Sequence, residues 1–230
     1  MVIIMEKDRS DLKINGHGSS NGGKYNSVTI NGNGSINGDL ECVYLRVNGQ
    51  GTVKGNTKAE SVKINGNNSI EGNLRAEKIK VNGMAHIDGN LSVEEAETYG
   101  NIDIGGDCNA EMFRVDGMFA VEGLLNAGEL RLSLHGPSRA REIGGEKITV
   151  KRMGRFGLGI LKNFIWPHGH DKGLSADIIE GDDVYLENTM AKVVRGNNVE
   201  LGPDCEVELV EYNESFKQDE KVTVGDCRQV

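Results

Sequence analysis

Long apolar runs are missing from this chain. Its hydrophobic stretches fall well short of the roughly 18 to 20 residues that a transmembrane helix requires. The apolar residues 1–5 are also too few for a signal peptide, and acidic and basic residues follow them together. We therefore expect a protein that is either soluble or attached to the surface of a membrane.

Sequence signatures of enzymes are also absent. The chain has no Walker or dinucleotide-binding motif, and its many Asn-Gly pairs do not precede one helix as a phosphate-binding loop would. His17, His86 and His135 are scattered along the chain, and we expect His86 to be exposed. We therefore predict no catalytic residues and no cofactor.

Metal ions and nucleic acids are weakly supported as partners. His168, His170 and Asp171 lie close together, but no second cluster of metal ligands accompanies them. The formal net charge is −9, with 35 acidic residues against 26 Lys and Arg. This acidic excess argues against general nucleic-acid binding, and we predict no metal site.

Glycine, by contrast, is abundant and regularly spaced. One set of glycines recurs at every seventeenth position, and a second set follows six positions later at the same interval. A fixed period of this size is the signature of a solenoid, in which each repeat forms one turn of a coil. The two sets are Gly32, Gly49, Gly66, Gly83, Gly100 and Gly117, and Gly38, Gly55, Gly72, Gly89, Gly106 and Gly123.

The apolar residues form columns with the same period. Within each repeat they occur in pairs two positions apart, which is the spacing of side chains on one face of a strand. We predict three short strands per turn, stacked on their equivalents at about 4.8 Å around one continuous core. The expected fold is all-β, a parallel β-helix (β-solenoid). Scarce aromatic residues, at 5% of the chain, are consistent with such stacked columns.

The four cysteines, at positions 42, 108, 205 and 227, have neither the spacing of a zinc site nor that of a compact disulfide framework. Cys42 and Cys108 fall on inward columns of the repeat. We therefore predict buried, reduced thiols, which are typical of a cytosolic protein.

The glycines are expected to mark sharp corners, where the backbone needs a positive φ. An asparagine precedes the first corner in successive repeats, which predicts a ladder of amide hydrogen bonds between turns. Outward columns of opposite charge lie side by side, and we expect them to form a solvated surface. The ladder is formed by Asn31, Asn48, Asn65 and Asn82, and the charged columns by Glu60, Glu77, Glu94, Glu111 and by Arg46, Lys63, Lys80, Arg114.

The repeat also predicts boundaries. A second coiling pattern, which repeats at every fifteenth position, follows residue 173, with Ile179, Val194, Leu209 and Val224 in one column. The predicted organisation is a flexible N-terminus (1–13), a β-helix with 17-residue turns (14–150), a basic amphipathic insertion or cap (151–173), a second β-helical segment (174–224) and a flexible tail (225–230).

The insertion is basic and apolar. Phe156, Ile160 and Phe164 recur every fourth residue, which predicts a short amphipathic helix that ends before Pro167. Such a segment either covers part of the solenoid or contacts an anionic membrane or a partner protein. The candidate contact residues are Met1, Val2, Ile3, Ile4, Arg152, Arg155, Phe156, Ile160, Phe164 and Trp166.

The repeat V-x-I-N-G-x-G-x-I-x-G-x-L at 28–40 is echoed by KINGNNSIEGNL at 63–74 and KVNGMAHIDGNL at 80–91. Over roughly residues 28–132 it resembles the bactofilins, which are polymer-forming bacterial cytoskeletal proteins. The resemblance implies a right-handed β-helix and end-to-end assembly without a nucleotide. It also implies filaments under the cytoplasmic membrane that scaffold cell-shape, division or motility machinery.

We therefore expect a non-enzymatic scaffold that is cytoplasmic or peripheral at the inner face of the cell membrane. Its expected partners are copies of itself or a copolymerising relative, together with an anionic membrane surface. Two other classes stay open. A hexapeptide-repeat acyltransferase would repeat its apolar position at every sixth residue, which the uneven spacing here disfavours. A surface adhesin is disfavoured by the missing export signal.

Overall fold

The computed structural model describes residues 9–152 and 173–230. All regular elements among these residues are β-strands, and the fold is the predicted parallel β-solenoid. The chain divides into two compact units, Met1–Gly106 and Asp107–Val230. The helix predicted within residues 151–173 lies almost wholly outside the described residues.

Unit 1 contains β1 (Leu12–Val53), β2 (Thr57–Ile70), β3 (Leu74–Ile87) and β4 (Leu91–Ile104). Neighbouring strands pair in parallel with an offset of one full period, so that Leu74 lies beside Leu91 and Gly66 beside Gly83. The predicted short strands are joined across the corners into longer ones, so that β2, β3 and β4 each form one turn and β1 runs through more than one turn. In β2 the inward pairs are Thr57 and Ala59, Val62 and Ile64, and Asn68 and Ile70.

Unit 2 contains β5 (Cys108–Leu134), β6 (Ser138–Arg152), β7 (Leu174–Leu186), β8 (Thr189–Leu201), β9 (Glu206–Gln218) and β10 (Thr223–Gln229). Consecutive strands pair in parallel here too. β6 pairs directly with β7, with Ile148 beside Val184, although residues 153–173 separate the two strands in the chain. Within this unit the coil therefore resumes on the same sheet after the insertion.

The predicted 15-residue column is correct for only part of its length. Ile179 pairs with Val194 as expected, but Val194 pairs with Val210 and not with Leu209. Val224 pairs with Val207. The reason lies in the pairing register. The offset of β9 from β8 is one position longer than the offset of β8 from β7, and it becomes one position longer again after a register shift between Gly196 and Asn198. The added residues move Val210 into the core and leave Leu209 half-buried.

Two predicted boundaries also differ. β1 begins at Leu12 rather than at residue 14, because the backbone N–H groups of Asn26 and Ser27 in the second turn donate to the carbonyl oxygen of Ser10 and to the carboxylate of Asp11. The tail predicted at 225–230 forms most of β10, which pairs with β9. At both ends, backbone pairing continues beyond the last regular repeat of the sequence.

The core is built from the predicted inward columns, and almost all of their members are buried. In unit 2, Phe113 and Phe119 pack edge to face with ring centroids 6.0 Å apart. In unit 1, Thr98 continues the column of Ile64 and Val81, and its hydroxyl has no hydrogen-bond partner among the described residues. A buried hydroxyl without a partner lowers stability by about 1 to 3 kcal/mol.

The two glycine sets serve different purposes. The first set has the predicted positive φ, for example 133° at Gly66, and a side chain there would overlap the carbonyl oxygen of Gly49. The same prediction is wrong for the second set, in which Gly38 alone has φ of this kind. Gly72 is required instead by close packing, since a Cβ would lie 2.8 Å from the backbone nitrogen of Asn56.

The predicted asparagine ladder is confirmed. The Nδ2 of Asn48, Asn65 and Asn82 donates to the Oδ1 of the asparagine one turn earlier, at 2.8 to 2.9 Å. The ladder extends one turn further than predicted, because Asn31 donates to Asn15 at 2.9 Å.

A second ladder was not predicted. It follows the second glycine and contains Asp39, Asn56, Asn73 and Asn90. Each Oδ1 of the first three residues accepts the backbone N–H of the next member, at 2.7 to 3.0 Å. Its signal in the sequence is the Gly-Asp or Gly-Asn pair that recurs with the period of the glycines.

Replacing Asn65 by Ala is expected to lower the free energy of unfolding by about 2 kcal/mol, because it removes two ladder hydrogen bonds worth about 1 kcal/mol each. Equilibrium urea denaturation followed by circular dichroism measures this change. The matched control is Asn67→Ala, two positions along the strand, where the side chain is exposed and lies outside the ladder. An equal loss in both variants would contradict a stabilising role for the ladder.

Candidate functional site

The surface of each unit carries an open groove with paired charges. In unit 1 a groove of about 570 Å³ contains Lys24, whose Nζ lies 2.8 Å from Glu41. Arg9 also contacts Glu41 at 2.8 Å, and the hydrogen bond from Lys24 lowers the pKa of Glu41. In unit 2 a groove of about 640 Å³ contains Arg195, whose Nε lies 2.6 Å from Glu211. These groups neutralise each other at the surface.

Two histidines contact carboxylates. The Nε2 of His86 lies 2.8 Å from Asp88 Oδ1, and that of His135 lies 2.6 Å from Asp116 Oδ1. Both imidazoles are about half exposed, as predicted for His86, and lie on the open surface. Within residues 9–152 and 173–230, no group of three or more His, Cys, Asp or Glu side chains is arranged to hold a metal ion. The cluster of His168, His170 and Asp171 lies outside the described residues.

The charged columns behave as a solvated surface. Glu60, Glu77 and Glu94 are exposed. Ion pairs form between turns, where Lys78 contacts Glu95 at 2.8 Å and Lys80 contacts Glu97 at 2.6 Å. Exposed pairs of this kind contribute about 0 to 1 kcal/mol each.

Of the ten predicted contact residues, Arg152 is the one that the structure describes. It is exposed at the end of β6, where its backbone N–H donates to Glu187 and its Nη1 lies 3.3 Å from Asp204. The charge of Arg152 is therefore partly offset within unit 2. The other nine residues lie outside the described ranges, and their role stays a prediction.

The first turn of unit 1 has an open strand edge. One edge of this turn bonds to the following turn, as between Asn26 and Ser10, and no described strand lies along its other edge. Ile14 is 7% exposed, Leu12 is half-buried, and the side chain of Lys13 is exposed. A small apolar surface and unpaired backbone N–H and C=O groups thus lie together at this end of unit 1.

The last turn of unit 2 is open in the same way. β10 pairs with residues 206–212 of β9, and among the described strands β9 is its sole partner. Phe216 and Val224 are half-buried. The ring of Phe216 packs against Tyr212 with centroids 5.8 Å apart. The period of the sequence predicts that such end turns exist. Only the pairing register of the strands identifies which residues lie at their open edges.

Residues 6–92 match the model of a protein family described as "Bactofilin: Polymer-forming cytoskeletal". This segment is therefore similar to a bactofilin domain. The match includes the first turn of unit 1 and the asparagine ladder, and it overlaps the segment in which the repeat resembles bactofilins. The family description supports a structural role and self-association, and it favours a non-enzymatic protein.

Two proteins of Bacillus subtilis (strain 168) are similar to this chain. One, named "Uncharacterized protein YhbF", is 50% identical over 91 residues, which are 39% of this chain and 34% of that protein. The other, named "Uncharacterized protein YhbE", is 43% identical over 103 residues, which are 44% of this chain and 40% of that protein. The chain thus spans between a third and two-fifths of these relatives. No solved structure matches it.

No part of the chain that the structure describes forms a helix of the length and apolar character needed to cross a membrane.

The cysteines differ in accessibility. Cys42 in unit 1 and Cys108 in unit 2 are buried and free, as predicted, and burial raises the pKa of each thiol to about 12. Cys205 is also buried, whereas Cys227 in β10 is exposed. Thiolates are the reactive form, so Cys42 and Cys108 are protected both by protonation and by packing.

At pH 8 in the native state, N-ethylmaleimide is expected to modify Cys227 and to leave Cys42 and Cys108 unmodified. With a pKa of about 12, roughly one thiol in ten thousand is ionised at that pH. Mass spectrometry of peptides labelled before and after addition of urea measures the difference. Prompt labelling of Cys42 in the native protein would contradict the buried position.

Proposed function

We propose that this chain is a structural subunit that assembles end to end with copies of itself, without a nucleotide. The observation that carries the proposal is that a segment similar to a polymer-forming bactofilin domain occurs together with open strand edges at the first turn of unit 1 and the last turn of unit 2. An open edge presents unpaired N–H and C=O groups, which form a template for another chain.

The chemistry of these edges supports assembly. Most of the backbone hydrogen-bonding capacity of a solenoid turn is directed along the stack, and it is satisfied only when another turn is added. At each end, half-buried apolar residues, Leu12 at one and Phe216 and Val224 at the other, leave part of an inward column in contact with water. Covering them removes apolar surface from water, at about 25 cal/mol per Å².

Independence from a nucleotide rests on the resemblance to bactofilins and on the absence of a phosphate-binding motif in the sequence. The grooves in the described residues carry charges that are largely paired with one another, for example Lys24 with Glu41 and Arg195 with Glu211. These pairs leave little free positive charge for a triphosphate.

We further propose that residues 151–173 and the apolar N-terminus bring the assembly to the inner face of the cytoplasmic membrane. The support is the sequence, in which Phe156, Ile160 and Phe164 lie in one segment with basic residues such as Arg155 and Lys162. Such a segment binds an anionic surface by burying apolar groups near lipid headgroups that attract its charge. A polymer multiplies weak single contacts into stable attachment. A scaffold placed there would serve cell shape, division or motility.

Purified full-length protein is expected to form filaments in the absence of ATP and GTP, because strand pairing needs no energy source. Negative-stain electron microscopy before and after apyrase treatment measures this. Added nucleotide should leave the filaments unchanged. Monodisperse particles at every salt and protein concentration would overturn the assembly proposal.

The double substitution Phe156→Glu with Phe164→Glu is expected to reduce binding to vesicles containing phosphatidylserine by about tenfold or more, since each buried Phe contributes roughly 2 kcal/mol. Co-sedimentation with these vesicles and with neutral vesicles measures the change. The control is Tyr44→Glu, which places a charge on an exposed aromatic residue of unit 1. Unchanged binding in the double variant, or equal loss in the control, would contradict the membrane role.

A further inference from the structure

We propose that Asn37 is a site of spontaneous deamidation, and that the asparagine ladder protects the residues within it from the same reaction. The chain contains eight Asn-Gly pairs. This pair favours the reaction because Gly has no side chain to shield its backbone nitrogen. The modification needs no enzyme, and the inference does not depend on the proposed assembly.

The reaction consumes one water molecule and releases ammonia. The backbone nitrogen of the glycine loses its proton and attacks Cγ of the preceding asparagine. A new C–N bond closes a succinimide ring, and the side-chain amide group takes up a proton and leaves as ammonia. Water then opens either carbonyl of the ring, which yields aspartate or isoaspartate. Both products carry a new negative charge, and isoaspartate also lengthens the main chain by one carbon.

The asparagine ladder opposes the first step. In Asn48 and Asn65 the Nδ2 donates to the preceding turn and the Oδ1 accepts from the following turn, at 2.8 to 2.9 Å. Both side chains belong to half-buried residues. Their amides are therefore held along the stack, and two hydrogen bonds must break before Cγ can turn toward the next backbone nitrogen.

Asn37 lacks this restraint. It is exposed, and its side chain forms no hydrogen bond with any described residue. The following Gly38 is also loosely packed, since a Cβ built there would lie 3.9 Å from its nearest neighbour. A Cβ at Gly66, by contrast, would overlap the carbonyl oxygen of Gly49. The backbone at Gly38 therefore has room to move during ring closure, whereas the backbone that follows Asn65 does not.

Two other exposed asparagines have part of this freedom. Asn15 lies at the end of the ladder, where it accepts one hydrogen bond from Asn31. Asn21 forms no side-chain hydrogen bond with a described residue, but Gly22 after it is packed against the backbone of the next turn. We expect both to react more slowly than Asn37 and faster than the asparagines inside the ladder.

The position of Asn37 gives the modification a structural effect. Two residues later, the Oδ1 of Asp39 accepts the backbone N–H of Asn56 at 2.7 Å, which is the first bond of the second ladder. The carbon that isoaspartate adds at position 37 would displace this carboxylate. A modified copy is therefore expected to lose this bond and to open more readily in the early turns of unit 1.

The test follows the unmodified full-length chain during incubation at mildly alkaline pH, once folded and once in urea. Peptide mass spectrometry after acidic digestion measures the exchange of NH2 for OH, and fragmentation assigns it to a residue. Modification of the folded chain is expected at Asn37. Asn48 and Asn65 should react at least about tenfold more slowly when folded than in urea, because two hydrogen bonds must break first.

The internal control is Asn67, which is exposed but is followed by Asn68 instead of glycine. It should stay unmodified in the folded chain, as expected if the glycine is required. Equal rates at Asn37 and Asn48 in the folded chain, or an unmodified Asn37, would overturn the proposal.

A pair of variants separates the ladder from folding in general. Asn65→Ala removes the donor to Asn48 and the acceptor for Asn82. The modification rates of Asn48 and Asn82 should each rise about fivefold, which corresponds to one lost hydrogen bond, while the rate at Asn37 stays the same. The matched control Asn67→Ala should change none of these rates.

Circular dichroism first establishes that both variants are folded. An unchanged rate at Asn48 in folded Asn65→Ala would contradict protection by the ladder. If Asn65→Ala does not fold, Asn65→Asp replaces it, because aspartate retains the acceptor and removes only the donor to Asn48. The rate at Asn48 alone should then rise.

Discussion

Parallel backbone pairing between successive turns is the interaction on which the rest of this structure depends. Because β2, β3 and β4 are each offset by one full period from the strand before, a residue lies next to its own equivalent along the stack. Like side chains thus form columns. Apolar residues in such a column pack together in the core, and amides such as Asn48 and Asn65 each donate one hydrogen bond and accept another along the column. The same arrangement also places like charges side by side, as in Arg46, Lys63 and Lys80, and this column ends in an ion pair between Lys80 and Glu97.

The same constraint links fold to assembly. A solenoid has no closed edge of its own, so the groups that hold turns together inside each unit are presented unpaired at its first or last turn. The segment that matches the bactofilin model contains one such end. The proposed assembly therefore depends on repeated backbone geometry and on end residues such as Leu12 and Val224.

Much of unit 1 could be predicted because its period is strict. The glycine interval placed the corners, and the alternation of apolar residues placed the core and the buried Cys42. The amide ladder followed from in-register asparagines. Unit 2 was less predictable, since its turns vary in length. Leu209 matched the 15-residue period, yet Val210 took its place in the core because residues were added at a corner. Periodicity cannot locate such an addition when neighbouring residues are both apolar.

The amino-acid sequence by itself determined the coil, its period, its inward columns and its likeness to bactofilins, because each of these repeats and repetition is visible in one dimension. The tertiary structure alone decided what depends on contacts between turns. It separated glycines that need a positive φ, such as Gly66, from those that need close packing, such as Gly72. It placed Arg152 beside Asp204, and it paired β6 with β7 across the insertion. These features depend on which atoms meet across the stack, and spacing along the chain does not specify that.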